Sequence, residues 1–107
     1  MATIDDFKKL EIRIGTILSA EKIPEGDKLL RLMVDFGTET RQVMSGIAEQ
    51  FPNPSVLVGR QAPFVTNLEP RTLRGYESNG MILATDDAAG IVLIRPDREV
   101  PRGSGVH

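Results

Sequence analysis

The chain of 107 residues, 40% hydrophobic and 26% charged, is sized and composed to bury one core as a single domain over residues 1–107. It has no cysteine, which excludes disulfides and thiolate metal sites, and its formal net charge of −2 excludes indiscriminate nucleic-acid binding through bulk positive charge. Its apolar runs are far too short to span a bilayer, and the start MATIDDFKK is acidic and polar where a signal peptide is basic and then apolar, so a cytoplasmic protein is expected.

Thr3 followed by Asp6 reads as a capping box, and Ile4, Phe7, Lys8 and Leu10 suit one short amphipathic turn of helix. From Glu11 to Ile23 the period shortens: Ile12, Ile14 and Ile17 alternate around Gly15, as in a strand that bends at a glycine. Pro24-Glu25-Gly26-Asp27 is a turn by composition. Leu29–Phe36 is a strand with Leu30, Leu32 and Val34 on one face, and Gly37-Thr38-Glu39 turns it into Thr40–Ser45 as a hairpin. Gly46–Gln50 suits a helical turn that Pro52-Asn53-Pro54 stops. Strands follow at Gln61–Asn67 and Met81–Thr85, and the turn Asp86–Gly90 leads into the apolar run Ile91–Ile94. Five or six short strands with little helix predict an all-β barrel or sandwich. The stretch Val100-Pro101-Arg102-Gly103-Ser104 is open to two readings, a protease-cleavage scar from a vector or a native final turn.

Between the last two of these strands lies NLEPRTLRGYESNGM, Asn67–Met81. It sets Asn67, Arg71, Arg74, Ser78 and Asn79 among Pro70, Gly75 and Gly80. Such side chains reach phosphate and sugar oxygens, and the prolines and glycines shape the loop that presents them. Charge is graded in the same sense. Residues 41–74 carry four basic and two acidic side chains, whereas residues 1–40 carry six and eight and residues 75–107 three and five.

Catalytic chemistry finds little footing. The sole histidine, His107, is the last residue, so no Ser–His pair is held by a fold. None of the five serines stands in a Gly-x-Ser-x-Gly elbow, and there is no phosphate-binding glycine loop. Asp5-Asp6 and Asp86-Asp87 lack calcium-loop spacing, so neither a metal nor a cofactor is expected. Of the aromatics, Phe7, Phe51 and Phe64 sit among aliphatics as core candidates, and Tyr76 alone stands in the polar loop. So thin a stacking platform favours recognition of backbone and shape over base reading.

The ordered segments DFKKLEIRIGTI, GDKLLRLMVDFG, RQVMSGIAE, NLEPRTLRGYESNGMILA and VPRGSGV span nearly the whole chain. Together they resemble the tRNA-binding OB-fold domain that ends methionyl-tRNA synthetases and also occurs in free-standing dimeric tRNA-binding proteins. The resemblance implies a five-stranded OB barrel with a C-terminal extension, a native Val-Pro-x-Gly-Ser tail, and binding of tRNA by its general shape. It implies a non-catalytic homodimer that assists aminoacylation, alone or joined to a synthetase catalytic body. Carried over by position, Lys28, Arg41, Ser45, Asn67, Ser78 and Met81 line the RNA face, and Arg71 and Arg74 contact phosphates. Thr72 stands where the family often has a second basic residue. The export chaperone CsaA shares the fold and the dimer, and a peptide-binding chaperone is the alternative. Ser45-Gly46-Ile47-Ala48, Asn67-Leu68-Glu69-Pro70 and Ser78-Asn79-Gly80-Met81 place the chain on the tRNA-binding side. The run Ile91–Ile94, the tail and the N-terminal turn are the expected dimer face.

Overall fold

A capping box sets the first element. In the computed structural model, which describes residues 1–24 and 26–107, helix α1 spans Ile4–Lys8. The Thr3 hydroxyl accepts from the Asp6 amide and the Asp6 carboxylate accepts from the Thr3 amide at 2.9 Å. The helix buries no residue, leaving Ile4 and Phe7 exposed together with Leu10 just beyond it.

β-branched alternation then builds the sheet. Strand β1 (Ile12–Ile23) pairs antiparallel with β2 (Gly26–Asp35), and β2 pairs with β3 (Thr40–Ser45). The turn expected at 24–27 includes Glu25, outside the described residues. The first half of β1 also takes β4 (Gln61–Val65), and β4 takes β7 (Met81–Ile82), giving the order β3-β2-β1-β4-β7. The free edge of β3 is met by the residues just before β7: the Asn79 amide donates to the Gln42 carbonyl at 2.9 Å, and the Met44 amide donates to the Ser78 hydroxyl at 3.0 Å. The sheet therefore curls back on itself as an OB barrel, and its edge is covered.

Leu30, Leu32 and Val34 fill the interior from β2 as their alternation predicts, with Ile17, Val43, Ala62 and Phe64 from the neighbouring strands. Phe36 meets Phe64 edge to face, with centroids 5.5 Å apart. Strand β1 is irregular in register between Ile17 and Ser19, while Gly15 keeps its register with Ala62 and lies against Phe36 and Val34. A Cβ there would stand 2.7 Å from Phe36 Cε1 and closer still to Val34.

The helical turn expected at 46–50 is a 3-10 turn at Ala48–Gln50. Pro54 does not simply halt the chain. It opens a second 3-10 turn, Pro54–Leu57, that buries Leu57, because proline's fixed φ suits a first helical position. The strand expected over Met81–Thr85 divides at Leu83 into β7 and β8 (Ala84–Asp87), and β8 forms a hairpin with β9 (Gly90–Leu93). Ile91 and Leu93 pack against the core beside Phe51.

The tail is part of the barrel. Gly103 and Val106 donate to the carbonyls of Ile14 and Ile12 at 2.7 and 2.8 Å, and Ile14 donates to Ser104 at 2.8 Å. The Gln61 side chain both donates to and accepts from the Val100 backbone. No helix among the described residues is long and apolar enough to cross a membrane.

Gly15→Ala therefore presses on the Val34 and Phe36 side chains and forces them to shift. It is expected to destabilise the fold by about 1–3 kcal/mol in urea unfolding, with the m-value unchanged.

Candidate nucleic-acid interface

The segment read as a polar loop contains a small hairpin. Strand β5 (Arg71–Leu73) pairs with β6 (Tyr76–Ser78), and Arg74 and Gly75 turn between them at φ 53° and 85°. Two successive positive φ values define the primed turn that suits the twist of a two-residue hairpin. Asn-Gly is the common signal for it, and an arginine in the first position conceals it. The left-handed conformation costs a non-glycine residue about 1–2 kcal/mol.

An isolated hairpin this short has marginal stability, so its base must be held from outside. Four side chains do this. Ser78 is buried, accepts from the Met44 amide and donates to the Gly80 carbonyl at 3.1 Å. Gln42 donates to the Glu77 carbonyl at 2.8 Å. The Asn67 carboxamide accepts from the Glu11 amide and donates to the Lys9 carbonyl, both at 2.7 Å. The Arg41 guanidinium donates to the Thr66 carbonyl at 2.5 Å and the Asn79 carbonyl at 3.4 Å, stapling the two ends of the segment.

Acids hold the stapling cation in place. Glu39 takes Arg41 Nε at 2.6 Å and Arg13 at 3.2 Å, while Arg13 also lies 4.9 Å over the Phe36 ring. The hydrogen bond from Arg41, then that from Arg13, holds the Glu39 carboxyl below its ordinary pKa range. Asp35 is lowered likewise by the Gly37 amide and then by Arg102. Glu39, Arg41, Thr66, Leu68, Pro70 and Asn79 help line a polar cleft of about 500 Å³ at the foot of the hairpin.

The eight residues expected on the RNA face thus separate into distinct settings. Arg41, Asn67 and Ser78 each hydrogen-bond the protein's own backbone, and these bonds brace the base of the hairpin. Arg71 and Arg74 are exposed, and among the described residues neither has a hydrogen bond or ion pair to another side chain. Lys28 is exposed near the start of β2, with Glu49 at 3.8 Å. Ser45 is half-buried at the end of β3, in register with Leu30. Met81 is exposed on β7 opposite Val65.

Sequence reasoning passed over Gln42 and Arg31. Arg31 lies 5.7 Å over the Tyr76 ring and is ion-paired with Glu21. Its signal was an outward position on β2, legible only once a partner for Tyr76 was known. Among the described residues, no group of three or more His, Cys, Asp or Glu is placed to hold a metal ion.

An OB barrel that presents free arginines on a braced hairpin beside its β2–β3 face has the form of a nucleic-acid-binding module. Residues 12–105 match the family model described as "Putative tRNA binding domain", and the chain belongs to that family. It is 53% identical over 103 residues to the methionine–tRNA ligase of Methanothrix thermoacetophila, a match covering 96% of this chain and 15% of the ligase. The chain thus spans about a seventh of the length of the curated relatives it matches, in their C-terminal region. Among solved structures, it is similar to the MetRS related protein from Pyrococcus horikoshii, with a TM-score of 0.92, 40% identity and coverage of 100% of this chain and 98% of the other. It is also similar to the chaperone CsaA of Bacillus anthracis, with a TM-score of 0.88, 34% identity and coverage of 100% and 99%.

Ser78→Ala leaves the Met44 amide without its acceptor. Stability is expected to fall by about 1–3 kcal/mol, and hydrogen exchange at Met44 to accelerate. An unchanged Met44 exchange rate would show that the hydroxyl does not brace the hairpin.

Proposed function

We propose that residues 1–107 act as one non-catalytic tRNA-binding domain that assists aminoacylation, and that the β5–β6 hairpin grips the RNA backbone. The carrying observation is that Arg71 and Arg74 are exposed and unspent on a hairpin whose base is fixed by Arg41, Gln42, Asn67 and Ser78. Guanidinium groups donate to phosphate oxygens in a planar fork, and fixing their support lowers the ordering cost of contact. Lys28, Ser45 and Met81 extend the contact surface, and Arg41, Asn67 and Ser78 serve it by holding its shape. So few free cations suit recognition of a folded RNA by backbone and shape, with little reading of base edges.

The similarity to methionine–tRNA ligases supports a place beside a methionyl-tRNA synthetase catalytic body, and the full-length likeness to the MetRS related protein supports a free-standing form equally. Both contexts are cytoplasmic. A homodimer fits the surface: a groove of about 810 Å³ runs past Phe51, Ala62, Ile91 and Leu93, and Val92 and Ile94 are exposed beside it. Apolar side chains gathered in that way mark a partner contact, and two linked copies raise apparent affinity through effective concentration.

Arg74→Ala is expected to weaken binding of total tRNA and to flatten the dependence of log affinity on log salt by roughly one unit, the loss of about one phosphate contact. Equal affinity and slope would remove Arg74 from the interface. Ile94→Asp is expected to shift the chain from dimer to monomer in sedimentation velocity and to lower tRNA affinity with its fold intact. A dimer that survives this change would move the interface elsewhere.

A further inference from the structure

The Arg31–Tyr76 contact joins the far end of the hairpin to β2. Ser78 meets β3 at Met44, and Met44 is in register with Arg31 on β2. Tyr76 lies two residues before Ser78 and two after Arg74, and its ring sits under the Arg31 guanidinium at 5.7 Å. Arg31 therefore stands beside the turn that carries Arg74. By position it is a cation of the candidate interface.

Unlike Arg74, it is not free. Its Nε lies 2.7 Å from Glu21 Oε1, and its terminal Nη2 also donates to that oxygen. The two residues face each other across the β1–β2 ladder, as register partners. Across an antiparallel pair such opposite charges attract, and here the acid neutralises a cation of β2 that lies over Tyr76 of the hairpin. An exposed pair of this kind adds little to stability, so a fold-level purpose does not account for it.

We propose that Glu21 limits the affinity of the RNA face by neutralising Arg31, making it a residue that tunes the strength of binding without touching RNA. The inference rests on the hairpin as the tRNA contact. With Glu21 in place, a phosphate approaching Arg31 must displace or face a carboxylate one hydrogen bond away. With Glu21 made neutral, Arg31 still lies on Tyr76 and its charge is available. The consequence is a grip weak enough to release the RNA, at a position set by β1 rather than by the hairpin itself.

Glu21→Gln keeps the side-chain length and removes the charge. It is expected to bind total tRNA several-fold more tightly than the unmodified chain, with the salt slope steeper by roughly one unit. The double variant Glu21→Gln/Arg31→Gln should return affinity and slope to those of Arg31→Gln alone. Asp86→Asn, on β8, alters the net charge by the same amount and should leave binding unchanged, which separates a local effect from a general one. A Glu21→Gln chain that binds no tighter, a gain that persists without Arg31, or an equal gain from Asp86→Asn would each overturn the proposal. Failure of the unmodified chain to bind tRNA at all would overturn the functional reading beneath it, a result distinct from these three.

Discussion

Two hydrogen bonds to the edge of β3, from the Asn79 amide to Gln42 and from the Met44 amide to Ser78, govern the rest of the molecule. They bring the residues just before the last strand of the sheet onto the free edge of the first and so hold the sheet in its curl. They also fix the C-terminal foot of the β5–β6 hairpin. Fold closure and site geometry are thus one constraint. Disturbing residues 78 and 79 exposes a strand edge and frees the hairpin together, whereas a change at the hairpin turn alters the presented charge and leaves the barrel shut.

Electrostatics complete the division between support and contact. Glu39 holds Arg13 and Arg41, Asp35 holds Arg102, and Glu21 holds Arg31, so much of the cationic inventory is spent on the protein itself. Arg60, Arg95 and Arg98 line the groove by β9 together with Asp97 and Glu99. Arg71 and Arg74 are left projecting from the hairpin. Lys8 and Lys22 likewise have no ion pair among the described residues, so the hairpin carries two of several free cations, and the net charge of −2 limits non-specific attraction and leaves geometry to select the ligand.

Much of the barrel was legible because its signal is local. The alternation of Leu30, Leu32 and Val34 announces the buried face of β2, and Thr3 with Asp6 announces the helix start. The hairpin was not legible, since its strands are three residues each, mixed in polarity, and joined by a turn that begins with arginine. Nor was the role of Asn67, whose partners lie 56 and 58 residues away in the chain. Residue type and family position drew attention to Arg41, Asn67 and Ser78, but neither foretells that each also bonds the protein's own backbone. Those bonds depend on which strand edges meet, a non-local outcome. Gly15 teaches the same lesson: a glycine in a strand signals either a bend or a close neighbour, and only the packing of Phe36 and Val34 decides.

The strain at Arg74 follows from these constraints. Asparagine or glycine would take the left-handed position at less cost, and the hairpin would be more stable for it. An arginine at φ 53° is therefore a local conflict between propensity and placement. The base struts and the Arg31–Tyr76 contact offset that cost by holding both ends of the hairpin against the barrel. What the conflict gains is placement: the two-residue turn holds an exposed arginine that, among the described residues, pairs with no acid. Local rules tend to fail in proteins where a site is built, and the turn at Arg74 breaks one at a position that presents an exposed, unpaired arginine.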